Sequence, residues 1–379
     1  MTKTKRSQSS QQDAFAAHFS LVTRYGDRWT ESLHPSLLAK TRYAVLYNRY
    51  APLIDFHSAV GGSGSIERVI LPSAPGDIHT EDIQIYVRNK SAEDRDAQFP
   101  QPGQASNGLL THWNLDAASA LAVHMLRIVP GDRVLDLCAA PGGKSVAIAQ
   151  SIWPYLQPDY PGPPMAGAKK GVLHSNEFDR TRNRRLAENL SQYLPASLAR
   201  SDQQRVLQLD GTKGAQAFPL GIGGYDRVLV DAPCSSERHI LHAQAKASSG
   251  KAGAVADELA RWSPATAKRM AETQHELLMT ALRAVRIGGT VLYATCSISS
   301  EENDGVIEKT LAQLEKKVKK GELTWTAEAM KFDAPVEQGL EGFAERTTYG
   351  WLVLPDHPSG GRWGPLYFTK LIKTTLPPR

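Results

Sequence analysis

The sequence predicts an α/β fold in which a Rossmann-like, doubly wound sheet follows a small, mainly helical N-terminal region. From about residue 110 onward, short apolar runs alternate with segments of helical periodicity, the pattern of a parallel sheet with crossover helices. A turn with two glycines follows the first of these runs, and acidic residues follow the next three. These features together favour a ligand-binding α/β domain.

The N-terminal region is predicted from apolar residues that recur at helical spacing between residues 13 and 51, with breaks at Gly26 and Pro35. Residues 58–66 contain a Gly/Ser-rich stretch and residues 88–107 are polar, so both are predicted to be linkers or exposed loops. The predicted divisions are a disordered tail over residues 1–12, an N-terminal helical region over residues 13–109 and a doubly wound α/β domain over residues 110–379.

The α/β domain is predicted element by element from its periodicity. Strands are expected over residues 133–137, 172–176, 205–208, 227–230 and 290–294. Helices are expected near residues 144–151, 179–193 and 265–286. Two insertions, residues 153–170 and 240–258, interrupt this pattern and are expected to contact substrate, to form lids or to be surface loops without a role.

Composition is that of an ordinary folded protein. The 379 residues carry 44 basic and 39 acidic side chains, a net charge of +5 and a pI near 9.0, which permits a polyanionic partner without requiring one. The three cysteines lack metal-ligand spacing and are too few for a disulfide framework, so no metal and a reducing compartment are expected. No apolar run is long enough for a membrane span, so no membrane association is expected. The basic, acid-free first dozen residues fit a weak transit signal or a disordered tail.

The run from Val134 to Ser145, VLDLCAAPGGKS, has the form of a buried strand, a tight glycine turn and the start of a helix. In an open parallel sheet this turn lies at the carboxyl end of the first strand, where ligands bind. The dinucleotide pattern GxGxxG and the phosphate-loop pattern GxxxxGK[ST] are both absent, which disfavours nicotinamide cofactors and nucleoside triphosphates. We therefore expect a cradle for another small ligand.

Acidic residues follow three further strands. Glu177 follows the second strand, where a carboxylate accepts hydrogen bonds from ribose hydroxyls. Asp210 follows the third strand, where it is placed to accept from an adenine amine, and Asp231 closes the fourth. One such acid is often only a cap, but three around a glycine turn indicate a nucleoside ligand.

Two cysteines lie just beyond strand ends predicted to be neighbours: Cys234 after Asp231-Ala-Pro, and Cys296 within Tyr-Ala-Thr-Cys-Ser. Both thiols are expected to face one cleft, although an isolated free cysteine is commonly a buried hydrophobe. An activated thiolate that adds to C6 of a pyrimidine makes C5 nucleophilic toward a sulfonium methyl group. Such chemistry also needs an acid near the ring and removal of the C5 proton. Cys138, within the glycine turn, is expected to be structural or a backbone contact to the ligand.

At these residues the sequence resembles the NSUN (Nop/Sun) family of RNA cytosine-5 methyltransferases, whose fold is the Rossmann-like class I S-adenosylmethionine-dependent methyltransferase sheet. The resemblance spans roughly residues 110–310, and the ending GPLYFTKL resembles the family's final strand. The matching blocks are DLCAAPGGK (residues 136–144), DAPCSS (231–236), Arg261-Trp262 before a helix with Gln274, Leu277 and Leu278, and GGTVLYATCSISSEEN (288–303).

The resemblance implies roles for individual residues. Cys296 would form the covalent adduct, Cys234 would assist product release, and Asp231 would hydrogen-bond the cytosine near N3. The segment from Cys138 to Lys144 would hold the methionine portion of S-adenosylmethionine, Glu177 the ribose and Asp210 the adenine. Many family members carry Asp where this chain has Glu177. The full set of expected cofactor contacts is Cys138, Ala139, Ala140, Pro141, Gly142, Gly143, Lys144, Glu177, Arg182, Asp210, Gly211 and Asp231.

Residues 19–29, the block LDAAS (115–119) and the block CSSERH (234–239) resemble the branch that acts on mitochondrial ribosomal or transfer RNA. This implies an RNA substrate, with ribosomal RNA favoured, and the mitochondrial matrix as the location, with cytoplasm or nucleus as alternatives. It also implies that the N-terminal region, residues 13–109, binds RNA and that residues 110–379 form the methyltransferase catalytic domain. No module such as a PUA domain is recognisable, so RNA selection would rely on a protein partner or on the basic residues 180–185.

Three other functions are open on the sequence alone. The same thiolate chemistry serves methylation of uracil C5, although the paired Pro-Cys and Thr-Cys-Ser blocks argue against it. A non-catalytic RNA-binding ribosome assembly factor could retain the fold, although every expected catalytic position is intact. A nicotinamide-dependent enzyme is disfavoured by the missing glycine motif.

Overall fold

The computed structural model describes residues 25–76, 83–89, 97–162, 170–248 and 264–376. The tail over residues 1–12, most of the 19–29 motif, the Arg261-Trp262 motif and parts of both insertions lie outside the described residues.

The described N-terminal region contains helices and also a four-stranded antiparallel sheet, ordered β2-β3-β1-β4. Its strands are β1 Ala44–Tyr47, β2 Ile66–Val69, β3 Ile85–Arg88 and β4 His112–Leu115. Its helical elements are a π-helical turn Trp29–Leu33 that continues into α1 His34–Leu38, α2 Leu53–Ala59 and a 3-10 turn Ser63–Ser65.

The expectation of a mainly helical N-terminal region is therefore corrected: the described part of this region is mixed α/β. The segment around Leu46 and Tyr47, predicted to be helical, forms strand β1. The reason is that β1 lies between β3 and β4 and is buried on both faces, with Leu46 in one apolar cluster and Tyr47 in another. A strand buried on both faces has no polar residue at alternate positions, so its sequence shows no strand periodicity.

The second sheet has nine strands and contains the predicted parallel core. The order along it is β11-β12-β13-β9-β8-β5-β6-β7, and β10 pairs with β13. Strands β7, β6, β5, β8 and β9 are parallel, and β13 is antiparallel to β9. The strands are β5 Arg133–Asp136, β6 Val172–Asn176, β7 Gln204–Leu207, β8 Tyr225–Asp231, β9 Val285–Thr295, β10 Trp325–Ala329, β11 Glu345–Arg346, β12 Trp351–Val353 and β13 Leu366–Thr375.

The remaining helices connect these strands and cover both sheet faces. They are α3 Ala117–Met125, α4 Gly143–Ile152, α5 Arg180–Tyr193, α6 Ala196–Arg200, α7 Glu237–Ser248, α8 Pro264–Ala284, α9 Asp304–Lys319 and α10 Ala334–Leu340. All five predicted strands and all three predicted helices of the catalytic domain are confirmed within a few residues. The longest helix ends at Ala284, two residues before its predicted end, because Val285 pairs with Tyr225 at the start of β9.

Alternate residues of the parallel strands supply two separate apolar cores. Val134 and Leu229 belong to the cluster that includes α3, α4 and α5, whereas Leu135 and Val228 belong to the cluster that includes α8 and α9. This alternation is expected for a sheet covered by helices on both faces. Because the helices cover the faces of the sheet, its carboxyl edge is where a site can form.

The N-terminal region is fixed against helices α4 and α5 of the catalytic domain by specific hydrogen bonds. The side-chain amide of Asn48 donates to the carbonyl oxygens of Leu110 and Tyr193 at 2.8 and 2.9 Å, and the hydroxyl of Tyr50 donates to the carbonyl of Ala149 at 2.6 Å. All of these groups are buried or partly buried, where hydrogen bonds stabilise most. Within the described residues, no helix combines the length and apolar character that a bilayer crossing requires.

Candidate active site

The candidate active site lies at the carboxyl ends of the parallel strands. Strand β5 pairs with β6 on one side and β8 on the other, so the chain order of the strands reverses here. Ligands bind at such switch points in open α/β sheets. A cavity of about 1230 Å³ occupies the place. Its wall includes the predicted residues Cys138, Ala140, Lys144, Glu177, Arg182, Asp210, Gly211, Asp231, Cys234 and Cys296.

Four predicted cofactor residues, Ala139, Pro141, Gly142 and Gly143, do not line this cavity. Gly142 adopts φ 122°, a conformation that favours glycine, and this bends the chain from the turn into α4. A Cβ on Gly143 would lie 2.7 Å from the Nε1 atom of Trp113. These residues shape the turn, and its packing against the N-terminal sheet, without reaching the cavity wall.

Beneath the turn, Asp136 is completely buried at the end of β5. One of its carboxyl oxygens accepts a hydrogen bond from the hydroxyl of Ser145 at 2.7 Å. Burial raises the pKa of Asp136 to about 7, against the lowering effect of that hydrogen bond. This hydrogen bond connects the end of β5, just before the glycine turn, to the first turn of α4.

Asn176 joins the loops that follow three strands, although it was not predicted as a site residue. Its side-chain amide donates to the carbonyl oxygens of Leu137 and Leu209 at 3.0 Å each, and its side-chain oxygen accepts from the Leu209 amide at 2.9 Å. Asn176 also accepts from the amide of Ala139 through its backbone carbonyl. The relative positions of the three loops are therefore fixed by one buried residue.

Glu177 lies next to this junction and is 6% exposed. Its Oε1 accepts from the amide of Asp179 at 3.0 Å, whereas Oε2 is buried without a hydrogen-bond partner in the described structure and lies 3.3 Å from the guanidinium of Arg182. Arg182 also donates to the Ala140 carbonyl at 3.0 Å. A buried carboxylate oxygen with unused acceptor capacity on a cavity wall can bind a ligand hydroxyl.

The third strand end supplies Asp210 and Gly211. Oδ1 of Asp210 accepts from the amide of Thr212 at 3.0 Å and from its hydroxyl at 2.7 Å, and these bonds lower the pKa of Asp210. Gly211 is buried, and a Cβ there would lie 2.7 Å from a methyl group of Leu277. Asp210 is therefore held as an oriented, ionised carboxylate.

At the end of β8, Asp231 forms an ion pair with Lys144. The Nζ atom of Lys144 lies 2.7 Å from Oδ2 of Asp231 and 3.2 Å from the hydroxyl of Ser119. Burial acts to lower the pKa of Lys144, but the charge and hydrogen bond of Asp231 outweigh it, so the pKa is raised. Lys144 is therefore charged at neutral pH.

The two cysteine thiols meet in the cavity, as the sequence predicts. Strands β8 and β9 are paired in parallel, with Asp231 opposite Ala294, and the two cysteines follow at 234 and 296. The distance between their Sγ atoms is 2.8 Å, and neither cysteine forms a disulfide. The hydrogen bond to Cys296 and burial raise the pKa of Cys234 well above its ordinary value. Desolvation also raises the pKa of Cys138, which is half-buried in the cavity wall.

A short hydrogen-bonded chain leads from Cys296 to the cavity mouth. The Sγ atom of Cys296 lies 3.3 Å from the hydroxyl of Ser236, which lies 2.6 Å from Nδ1 of His239. Ser236 adopts φ 54°, an unusual conformation for a residue other than glycine. The exposed contact between Ser236 and His239 connects this chain to solvent.

Sequence reasoning did not single out several residues that build this site: Asn176, Ser119, Ser236, His239, Glu237 and Glu302. All except Ser119 lie within six residues of a predicted site residue. Their position in the chain is a signal, but polar residues beside strand ends also serve as caps. Within the described residues, no group of three or more His, Cys, Asp or Glu side chains is arranged to hold a metal ion.

The strand order β7-β6-β5-β8-β9, the antiparallel β13 and the site at the switch point define a Rossmann-like class I methyltransferase fold. The similarity of this chain to solved structures supports this fold class. A methyltransferase homolog protein from Pyrococcus horikoshii superposes with a TM-score of 0.57 at 17% identity, covering 95% of this chain and 98% of that one. NSun6 from the same organism gives a TM-score of 0.55 at 14% identity, covering 94% and 96%.

Sequence comparison gives the family. The model of the family described as "16S rRNA methyltransferase RsmB/F" matches residues 123–344. The mouse "tRNA (cytosine(34)-C(5))-methyltransferase, mitochondrial" is 31% identical over 357 residues, which cover 92% of this chain and 86% of that protein. The bovine "5-cytosine rRNA methyltransferase NSUN4" is 28% identical over 371 residues, covering 93% and 86%.

The chain belongs to the RsmB/F methyltransferase family and is an RNA methyltransferase. The resemblance to the NSUN family and its mitochondrial branch is thereby confirmed.

Proposed function

We propose that this protein transfers a methyl group from S-adenosylmethionine to C5 of a cytosine in RNA, with Cys296 as the nucleophile. The observation that carries the proposal is the pair of thiols, 2.8 Å apart, in the same cavity as Asp231, Lys144 and Glu177. The names of the mouse and bovine relatives support cytosine C5 as the target. The remaining residues of the cavity have chemistry that suits this reaction.

The cavity has the polar groups that an S-adenosylmethionine molecule requires. Oε2 of Glu177 offers a buried acceptor for a ribose hydroxyl, and Asp210 offers an oriented carboxylate for the adenine amine. The turn at Cys138 and Ala140 would hold the methionine portion, with Arg182 beside it. When bound, this cofactor supplies an electrophilic methyl group on a sulfonium.

Asp231 and Lys144 suit recognition of the cytosine ring. A carboxylate accepts a hydrogen bond from the exocyclic amine of cytosine, and from N3 on the same edge once N3 carries a proton. The 2.7 Å contact with Lys144 balances the charge of Asp231 and fixes its direction. As the thiolate adds to C6, N3 takes up a proton that the Lys144 ammonium group supplies by way of Asp231, which relieves the negative charge of the adduct; the proton returns by the same route when the adduct breaks down.

The two cysteines have different protonation states in this mechanism. The raised pKa of Cys234 keeps its thiol protonated, so that its S–H donates to Cys296. The proton of Cys296 passes to the hydroxyl oxygen of Ser236, which gives its own proton to Nδ1 of His239. The resulting thiolate forms the Sγ–C6 bond. After methyl transfer, the C5 proton passes to water, the C5–C6 double bond re-forms as the Sγ–C6 bond breaks, and the Cys234 thiol protonates the departing sulfur. Cys234 then regains a proton from water and His239 releases its proton to solvent, so one proton is released per methyl group transferred.

Ribosomal RNA is the substrate we propose, and transfer RNA is the alternative. The matching family and several relatives carry ribosomal RNA in their names, whereas the mouse relative carries transfer RNA. The exposed side chains of Arg180 and Arg185 at the start of α5 suit contact with phosphates, and Arg185 also lines the cavity. A protein partner could extend this surface. We propose the mitochondrial matrix as the location, supported by the mitochondrial relative.

The proposal is tested by incubating the purified protein with isotope-labelled S-adenosylmethionine and separate ribosomal and transfer RNA fractions that lack 5-methylcytosine. Digestion to nucleosides should give labelled 5-methylcytidine from one fraction, and the Cys296→Ala variant should give none. Labelled 5-methyluridine would show instead that the methylated base is uracil. Absence of label from every RNA fraction, with cofactor binding intact, would contradict the proposal and favour a non-catalytic assembly factor.

A further inference from the structure

Two glutamates lie between the loops that carry the two cysteines. Glu237, at the start of α7, follows Cys234 in the chain, and Glu302, just before α9, follows Cys296. Both residues are 0% exposed, and neither lines the cavity. They are therefore not placed to contact a base or a cofactor directly. Both glutamates instead form hydrogen bonds with the loops that carry the cysteines.

Each glutamate bonds to the loop of the other cysteine. Glu302 accepts from the backbone amide of Ser235, the residue after Cys234, at 3.0 Å. Glu237 accepts from the hydroxyl of Ser297, the residue after Cys296, at 2.8 Å, and from the amide of Ile298 at 3.0 Å. The two loops are thus joined by crossed hydrogen bonds. Loss of either carboxyl group would leave buried donors without a partner.

The hydroxyl of Ser235 contacts Oε1 of both Glu237 and Glu302. A serine hydroxyl carries one proton, so it can donate to only one of these two oxygens. The other contact is favourable only if that carboxyl group carries a proton and donates it to the serine oxygen. Two adjacent buried carboxyl groups likewise cannot both ionise without strong repulsion.

The surrounding donors indicate which carboxyl group is protonated. Both oxygens of Glu237 accept from donors, Ser297 and Ile298, which favours the ionised form. In Glu302, Oε2 accepts from the Ser235 amide and from Gln274 at 2.8 Å. The Ser297 hydroxyl lies 3.4 Å from Oε1 of Glu302 but 2.8 Å from Glu237, so it donates to Glu237, and Oε1 of Glu302 carries the proton toward the Ser235 hydroxyl. Burial, followed by the charge of Glu237, raises the pKa of Glu302 to about 7. In the described part of the chain, neither glutamate forms an ion pair with Lys, Arg or His within 4.0 Å.

We propose that Glu237 and Glu302 share one proton and act as a clamp that holds the two cysteine loops at the separation required for reaction. Glu302 is the neutral partner, and both glutamates are positioning residues. The other titratable side chains that face the pair are Cys234 and Tyr293, and the Tyr293 hydroxyl donates to the Glu302 carbonyl at 2.6 Å. The inference rests on the proposed function only in treating the two cysteines as the reacting pair.

The clamp predicts different effects for two otherwise equivalent substitutions. Glu302→Gln preserves the clamp, because the amide oxygen accepts from Ser235 and Gln274 while the NH2 group donates to the Ser235 hydroxyl. Glu237→Gln disrupts it, because one amide NH2 would face a donor, either Ser297 or Ile298. Glu302→Ala removes the clamp, and Glu272→Gln, an exposed glutamate on α8, serves as a matched control.

The first measurement is binding of phenylarsine oxide, which condenses with two adjacent thiols to form two As–S bonds and releases one water. It requires neither RNA nor methylation, and Cys234→Ala provides the blank. At neutral pH, Glu302→Gln and Glu272→Gln should bind like the wild type. Glu237→Gln and Glu302→Ala should bind about ten-fold more weakly or worse, because the first loses a buried hydrogen bond to the Cys296 loop and the second loses those from Ser235 and Gln274. Thermal unfolding confirms that each variant folds.

The second measurement is the methylation rate between about pH 6 and about pH 9. The wild type should lose activity as Glu302 ionises above about pH 7, and Glu302→Gln should not show this decline. Equal effects of Glu302→Gln and Glu237→Gln on arsenical binding would overturn the clamp, as would an unchanged alkaline decline in Glu302→Gln. Absence of methylation in the wild type, with the arsenical pattern intact, would refute the proposed function and leave the clamp standing.

Discussion

The Sγ atoms of Cys234 and Cys296 lie 2.8 Å apart, although 62 residues separate them in the chain. Their proximity follows from the parallel pairing of β8 and β9, in which Asp231 lies opposite Ala294. Cys234 lies three residues beyond Asp231, and Cys296 lies two residues beyond Ala294. Parallel strands end at the same edge of a sheet, so the loops that follow them lie close together. The crossed hydrogen bonds of Glu237 and Glu302 then fix the two loops.

The packing of the glycine turn can be tested by adding a side chain at Gly143. Gly143→Ala should destabilise the protein by about 1–3 kcal/mol and weaken binding of S-adenosylhomocysteine, because the new Cβ would lie 2.7 Å from the Trp113 indole. Chemical denaturation and calorimetric titration measure the two effects. Gly64→Ala is the matched control, since nothing lies within 4 Å of its Cβ position. Equal behaviour of the two variants would contradict the packing described for the turn.

Substitution of Glu177 is predicted to lower the affinity for the cofactor. Glu177→Gln replaces an acceptor oxygen by an NH2 group, so the dissociation constant for S-adenosylhomocysteine should rise roughly ten-fold or more. Glu188→Gln, an exposed residue on α5 paired with Arg184, should leave affinity unchanged. Calorimetric titration of both variants checks this. Unchanged affinity in Glu177→Gln would remove the ribose role from this carboxylate.

The Ser236–His239 chain predicts a kinetic effect separate from binding. Ser236→Gly removes the hydroxyl at a position whose φ of 54° suits glycine, so the backbone should be preserved. We expect kcat for methylation to fall roughly ten- to hundred-fold with cofactor affinity unchanged, and His239→Gln to act similarly. Single-turnover kinetics measure this.

The double variant supplies the control for that chain. If Ser236 and His239 act on one proton, combining both substitutions should cost no more than the larger single effect. Fully additive losses would show that the two residues act independently, contrary to the proposed route.

The parallel half of the fold could be predicted from the sequence because its signals are local. Buried parallel strands appear as short apolar runs, and the bounds predicted for β6 are those observed. The glycine turn and the acidic strand ends mark the carboxyl edge of the sheet in the sequence itself. The meeting of Cys234 and Cys296 follows from the expectation that their strands are neighbours.

The N-terminal sheet could not be predicted in the same way. Its strands are four residues long, and β1 is buried on both faces, so no alternation is visible. Its partner β4 begins at His112, more than sixty residues further along the chain. Such pairing depends on tertiary packing against helices of the catalytic domain rather than on local periodicity.

The sequence also could not indicate which polar residues support the predicted ones. Asn176 and Glu177 are adjacent in the chain, yet only the structure distinguishes the residue that joins three loops from the residue with an unused acceptor on the cavity wall. Likewise, the contact between Glu302 and Ser235 depends on two loops meeting in space. Sequence patterns give the chemistry of a side chain but not the partner it meets.

The central claim is that Cys296, and not Cys234, attacks C6 of the cytosine. The most direct test is intact-mass analysis after incubation with S-adenosylmethionine and RNA that contains 5-fluorocytosine, in which the fluorine at C5 prevents release of the covalent product. The account predicts an RNA adduct in the wild type and in Cys234→Ala, and none in Cys296→Ala. An adduct that persists in Cys296→Ala and disappears in Cys234→Ala would contradict it.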